Sequence, residues 1–433
     1  MEASGENRSA LNPGVARREV FGWAMYDFAN SGYTTVVLTA VFNAYFVSVV
    51  AQKAPWATFA WTAGLGISYA LVMVLGPLVG AWADAHAAKK RALFVTTVVC
   101  VVGTAALARS GPGMVEWAIV FIIVSNVAYA LGENLAAAFL PELARPESLG
   151  KVSGWGWSWG YIGGLIALAL CLAWVMTAES RGSTTSLAVQ GTMLITAVVF
   201  ALASAPTFLL LKERAVPAPK ATTAAQAWAR LVRTAREAAG YRDLLMLFAC
   251  GTCYQAGVAT VITLAAIYAE QVMGFKTQDT IMLILVVNVT AALGAFGFGY
   301  AQDRIGKVMA LRITIVGWVV MTAVAYASTT TALFWVAANL AGLCMGSSQS
   351  AGRALVAYFS PPDRSGEFFG LWGVATRLAS ILGPVTYGAV SWATDGNHRL
   401  AMLLTGVFFI AALGFLAFVN ERRGRAQVEP VHA

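Results

Sequence analysis

Twelve apolar stretches of about 20 residues, each long enough to cross a bilayer, constrain this 433-residue chain more than any other feature. They fall near 21 to 49, 58 to 82, 92 to 109, 115 to 138, 154 to 177, 189 to 211, 243 to 269, 280 to 302, 308 to 327, 332 to 356, 368 to 392 and 399 to 419. Hydrocarbon offers backbone N–H and C=O groups no partners, so spans of this length must satisfy them internally as helices. With 58% hydrophobic and 12% charged residues, against roughly 45 to 50% and 25% in a soluble domain, the chain is expected to be an all-α polytopic membrane protein. The first 20 residues are polar and carry both signs of charge, unlike a removable signal, so the first span is expected to do its own targeting.

The formal charge of +8 would point to nucleic acid in a soluble protein. In a membrane protein it is read loop by loop, because Lys and Arg collect on the cytoplasmic side of spans. Threaded through twelve spans, one face holds Lys53, Arg109, Arg181, Lys276 and Arg399, while the other holds clusters such as Lys89-Lys90-Arg91, Lys212 to Arg242 and Arg422-Arg423-Arg425. Both termini are therefore expected in the cytoplasm, with no nucleic-acid partner. The expected organisation is a tail over 1–20, a six-helix bundle over 21–211, a cytoplasmic linker over 212–242, a second six-helix bundle over 243–419 and a tail over 420–433. In the linker, Trp228, Leu231, Val232 and Ala235 recur at helical spacing with Arg230, Arg233 and Arg236 around them, a pattern suited to an amphipathic helix on anionic lipid.

The two halves repeat a loop. Gly80-Ala-Trp-Ala-Asp84, followed by Lys89, Lys90 and Arg91, matches Gly299-Tyr-Ala-Gln-Asp303, followed by Arg304, Gly306 and Lys307. Glycine permits close helix approach, an Asp can bond the orphan N–H groups of a neighbouring helix, and the basic residues stay at the headgroups. This pattern resembles the loops of the major facilitator superfamily, which implies two six-helix bundles around a central cavity with access alternating by rocking. The first copy departs from it, with Ala85, His86 and Ala87 where Arg and Gly are usual, so a looser first loop is expected.

Ionisable groups inside spans are costly and mark pathways. Here they are few: Asp27 with Asn30 and Asn43 in run 1, Asn126, Glu133 and Asn134 in run 4, Gln255 in run 7, Asn288 in run 8, Asn339, Gln349 and Arg353 in run 10, and Arg377 in run 11. Asp27, Asn30 and Tyr33 or Thr34 suggest one stripe facing a cavity, unless Asp27 only caps or tethers a neighbouring helix. Arg377 needs a carboxylate at rest or an anionic ligand. Asn43, Asn288 and Asn339 read as interhelical glue, worth about 0.6 kcal/mol each. The run 5 glycines 154, 156, 160, 163 and 164, set among Trp155, Trp157 and Trp159, read as a close-packing face. The five cysteines all lie in apolar runs and read as packing residues.

Three blocks are similar to the vacuole effluxer family of amino-acid exporters: 23–33 (WAMYDFANSGY); Phe139-Leu-Pro-Glu-Leu with Ser153-Gly154 and Gly160-Tyr-Ile-Gly-Gly164; and Gln349, Arg353, Glu367-Phe-Phe-Gly-Leu-Trp372 with Leu382-Gly-Pro384. Ala136-Ala137 stand where that family often has Tyr-Asn. The resemblance implies a secondary transporter, an exporter of small polar organic solutes such as amino acids. The chain is expected to be a monomer in a bacterial-type inner membrane, with a small-molecule substrate, a coupling proton or cation, lipid contacts and no cofactor. The expected substrate or coupling set is Asp27, Asn30, Tyr33, Asn126, Glu133, Asn134, Gln255, Gln349 and Arg377; the expected gating set is Gly80, Asp84, Arg91, Gly299, Asp303 and Arg304. The first run also resembles glycoside-cation symporters, making glycoside uptake the second transport reading. A sensor or assembly factor on the same fold is the reading from another class. An embedded enzyme would need an acid/base or metal constellation, and the three histidines fall outside the runs.

The cation imbalance predicts that single cysteines at Lys53 and Lys220 label from opposite sides with an impermeant thiol reagent in intact cells. Labelling of both from outside would refute the topology.

Overall fold

The computed structural model describes residues 9–215 and 241–428, so most of the linker, including its amphipathic pattern, lies outside the described residues. Among the described residues twelve helices are long and apolar enough to cross a membrane: α1 Arg17–Val50, α2 Ala57–Ala85, α3 Lys89–Leu107, α4 Val115–Ala137, α5 Leu149–Ser180, α6 Thr185–Leu210, α7 Arg242–Gln271, α8 Thr277–Ile305, α9 Lys307–Ala327, α10 Thr331–Tyr358, α11 Ser365–Ala393 and α12 His398–Leu416. All twelve apolar runs correspond to helices. Several ends move outward by about a turn, so Asp84 and Asp303 close the last turns of α2 and α8 instead of lying in loops. The first span is α-helical only over Arg17–Tyr33; Thr34–Ala40 and Phe46–Val50 widen into π-helical turns, a local unwinding often found at functional positions.

Helix packing repeats between the halves. Within the first six, α1 packs on α5 and α6, α2 on α4, and α3 on α4 and α6; α7 to α12 reproduce each of these neighbours in the same order. The polar clamps at one end repeat too. Glu19 on α1 binds Arg214 just beyond α6 at 2.8 Å, and Asp243 on α7 binds Arg423 just beyond α12 at 2.7 Å. Glu213 accepts the amides of Lys89 and Lys90 at the start of α3, as Glu421 accepts that of Val308 at the start of α9. The fold is two six-helix bundles of one design.

Two seams join the bundles, α2 against α11 and α5 against α8. Both are made by glycine. A Cβ on Gly80 would run into the Gly366 carbonyl, one on Gly370 into the Gly76 carbonyl, and one on Gly154 into Ala295 and Gly299. Without such backbone-to-backbone approach, helices in lipid have little to hold them together, since lipid tails are as apolar as leucine. The α2–α11 seam closes at the end carrying Asp84. Gly66 lies 14 residues before Gly80, and Gly388 lies 22 after Gly366; at 100° per residue each falls within about 40° of its partner's face, yet a Cβ at either meets nothing within 4 Å. Helices α2 and α11 thus touch at the Asp end and splay at the other, leaving a cleft between the bundles. The amides of Asn288 and Asn339 bond carbonyls one turn back on their own helices, Ile284 and Trp335, instead of a neighbouring helix among the described residues. Asn43 likewise reaches Leu38 on its own helix, at 3.5 Å.

Gly80→Leu is expected to wedge this seam and raise the reactivity of a cysteine placed at Ser365 several-fold. Gly66→Leu, on the same helix but facing open space, should leave that reactivity unchanged, and equal effects from both would refute the splayed arrangement.

Candidate functional site

The Asp end is locked by two reciprocal caps. Neither α5 nor α11 has a side-chain cap of its own, so amides of the first turn need acceptors from elsewhere. Asp84, from the first bundle, accepts Gly366 N at 3.1 Å and Glu367 N at 2.8 Å, the second and third amides of α11. Asp303, from the second bundle, accepts Gly150 N at 3.0 Å and Lys151 N at 2.8 Å, the second and third amides of α5. A carboxylate at a helix N-terminus also meets the positive end of the helix dipole. Each cap is held by the first residue of the following helix: Lys89 and Lys307 place Nζ 3.8 Å from Asp84 and Asp303 respectively.

Two expectations are corrected here. Arg91 and Arg304 are exposed and outside the caps; the buried cations are Lys89 and Lys307, set by helix phase at the first position after the turn. Nor is the first loop looser. Asp84 and Lys89 are each 1% exposed against 12% and 5% for Asp303 and Lys307, and Lys89 also binds Glu142 and Ser365 Oγ. The missing glycine is accommodated by one extra residue, with Ala87 taking the left-handed conformation at φ 48° where Gly306 takes φ 92°.

Deeper in, two ion pairs cross between the bundles. Asp27 of α1 binds Arg353 of α10 at 2.7 Å, with side chains 14% and 8% exposed. Arg353 donates from Nε to Ser153 Oγ at 3.1 Å and from Nη2 to the Ser153 carbonyl at 2.8 Å, and its guanidinium lies over Trp23 at 4.7 Å and Trp157 at 5.3 Å. Gly156 makes room for the pair, since a Cβ there would meet both Asp27 and Arg353. The second pair joins Glu133 of α4 to Arg377 of α11 at 2.7 Å, between the rings of Tyr69 and Tyr129 at 5.7 and 5.9 Å from the guanidinium carbon. Of the two alternatives for Arg377, the structure therefore shows the resting carboxylate.

The other candidates divide around these pairs. Gln349 lies one turn from Arg353 toward the open end, and its amide exchanges hydrogen bonds with Gln255 of α7 at 2.7 and 3.1 Å. Asn30 lies one turn from Asp27 in the same direction and is buried, its Oδ1 without a partner among the described residues. Asn134 packs between Gly76 and Gly373 at the α2–α11 seam. Asn126 donates to Ser68 Oγ at 2.6 Å inside the first bundle, away from both ion pairs. Tyr33 leaves the expected stripe: it is fully buried, bonded to Ser125 at 2.8 Å and stacked on Tyr129. Six residues turn a helix by about 240° beyond full turns, so Thr34 is the residue that continues toward the second pair, donating to the Tyr129 hydroxyl at 2.9 Å. Arg353 is the residue missing from the sequence-derived set. Its signal was its charge inside run 10 and its position exactly one turn beyond Gln349. Among the described residues no three His, Cys, Asp or Glu side chains gather into a metal-holding group.

The blocks at 23–33, 139–164 and 349–372 thus meet at the floor of the cleft. Residues 57–429 match the profile of a family described as vacuole effluxer Atg22-like. The chain belongs to this family. Among similar proteins, the uncharacterised MFS-type transporter YxiO of Bacillus subtilis (strain 168) is 29% identical over 406 residues, 92% of this chain and 94% of that protein. Autophagy-related protein 22-1 of Neosartorya fischeri is 22% identical over 307 residues, 64% of this chain and 49% of its own length, so the chain spans about half of such fungal relatives. The fold is that of solved major facilitator transporters. The human organic anion transporter MFSD10 superposes with a TM-score of 0.71 at 15% identity, over 92% of this chain and 99% of that one. An outward-facing bacterial homologue of the iron transporter ferroportin superposes with 0.70 at 17%, over 93% and 99%. The chain is accordingly an MFS-type transporter of the Atg22-like family.

Removing one member of a buried pair strands the other, at a cost of about 3 to 5 kcal/mol. Arg353→Gln should therefore lower thermal stability in detergent sharply, and the Asp27→Asn/Arg353→Gln double variant should recover part of the loss, the signature of coupling in a double-mutant cycle. Additive losses would show that the pair does not act as a unit.

Proposed function

We propose that this Atg22-like protein is a secondary transporter that moves small polar organic solutes, amino-acid-like ones foremost, out of the cytoplasm by alternating access. The observation that carries this reading is the Asp27–Arg353 pair: a buried, charged contact between two bundles, lying beneath a cleft that opens away from the capped end. Such a contact must break for the bundles to rock, so it ties the state of one carboxylate to the side of access. The family's description as effluxers supports the direction. The cation imbalance supports a cytoplasmic capped end; on this reading the cleft opens to the outside, and both termini are cytoplasmic in a bacterial-type inner membrane. The moving bodies are residues 21–211 and 243–419, joined through 212–242, and the working unit is a monomer with a proton or cation as the coupling ion. Asp27 serves as the coupling carboxylate; Asn30, Gln255, Gln349, Glu133 and Arg377 line the solute's path.

The reading is tested with full-length protein in proteoliposomes under an imposed pH gradient, offered labelled neutral and cationic amino acids and, separately, labelled glycosides. Gradient-driven amino-acid accumulation is expected, lost in Asp27→Asn while exchange between equal pools persists. Transport of glycosides but not of amino acids would overturn the substrate assignment, and wild-type coupling in Asp27→Asn would reduce that residue to a structural tether.

A further inference from the structure

The two ion pairs differ in how completely they are engaged. Arg353 spends Nε, Nη1 and Nη2 on three acceptors, and its partner Asp27 is 14% exposed. Arg377 holds Glu133 through a single oxygen, Nη2 to Oε2, and its Nε is buried with no hydrogen-bond partner among the described residues. Glu133, at 32% exposure, is the most open of the four charged side chains. A guanidinium binds a carboxylate best side-on, with Nε–H and Nη2–H as parallel donors to its two oxygens. Glu133 uses one half of that fork and leaves the other without a partner among the described residues. The guanidinium carbon also lies 5.7 Å from the Tyr69 ring and 5.9 Å from the Tyr129 ring, contacts that do not depend on Glu133.

We propose that Glu133 is a tethered stand-in for substrate: the carboxylate of an incoming solute displaces it from the Nε and Nη2 edge of Arg377, and the released Glu133 takes up a neighbouring ammonium on the same solute. This rests on the reading of the chain as a carrier of amino-acid-like solutes and assigns Arg377 and Glu133 as the residues that select for both charges at once. A solute with the carboxylate alone leaves Glu133 expelled and unpaired in a partly desolvated cleft; one with the ammonium alone leaves Arg377 stripped of its partner. Discrimination therefore comes from the unpaired charge that the wrong solute creates.

The test is equilibrium binding to purified full-length protein in nanodiscs, by calorimetry, with L-alanine, propionate and ethylamine as probes. In the wild type L-alanine should bind more tightly than either single-charge probe. In Glu133→Gln, propionate should bind at least tenfold more tightly than in the wild type and L-alanine more weakly. The Glu133→Gln/Arg377→Lys variant should lose the propionate gain, because Lys keeps the charge but not the fork. Glu133→Ala replaces Glu133→Gln if the latter is not monodisperse. Propionate affinity that is unchanged between the wild type and the folded Glu133 variant, or undetectable in both, overturns the displacement. A propionate gain in Glu133→Gln alongside wild-type protein that transports only glycosides would leave the displacement standing and overturn the transport reading.

Discussion

The bundles meet because each lends the other a carboxylate. Helices α5 and α11 begin without side-chain caps of their own, and the missing acceptors arrive from the opposite bundle, Asp303 for α5 and Asp84 for α11. In water a helix end can be satisfied by solvent; at a close-packed seam it cannot, and an unmet amide there costs free energy comparable to a lost hydrogen bond. Everything that positions the cleft follows from these two exchanges. They hold α2 on α11 and α5 on α8 tightly enough for glycine-to-glycine contact, and the convergence at that end sets the depth at which Asp27 meets Arg353 and Glu133 meets Arg377.

Much of this was readable from residue order. The twelve spans follow from length and hydropathy alone, and the duplicated Gly-x-x-x-Asp segments announce the repeat that the packing of α1 to α6 and α7 to α12 then displays in full. Burying charge is costly enough that Asp27, Glu133, Arg353 and Arg377 stand out against an apolar background. What could not be read was pairing. Asp27 lies 326 positions from Arg353, and with two acids and two cations in the spans, helix periodicity does not choose between the two possible matches.

Smaller failures have local causes. Of the two residues that could continue the Asp27 stripe, Tyr33 lies six positions on and off the face, whereas Thr34, seven on, returns to it. The assignment of Arg91 and Arg304 to the gate followed the family pattern of basic residues after Asp; the side chains that reach the carboxylates are those of Lys89 and Lys307, because each begins the next helix and points back across the turn.

The two seams are built alike but differ in their access to water. The α2–α11 cap is sealed, with Asp84 and Lys89 both at 1% exposure, while Asp303 at the α5–α8 cap is 12% exposed. Mobile ions screen exposed charges within about 8 Å at physiological ionic strength and reach buried ones far less. Salt therefore bears more on the α5–α8 seam than on the α2–α11 seam, so the joint between the bundles has a dry edge and a wetter one whose grip varies with the medium.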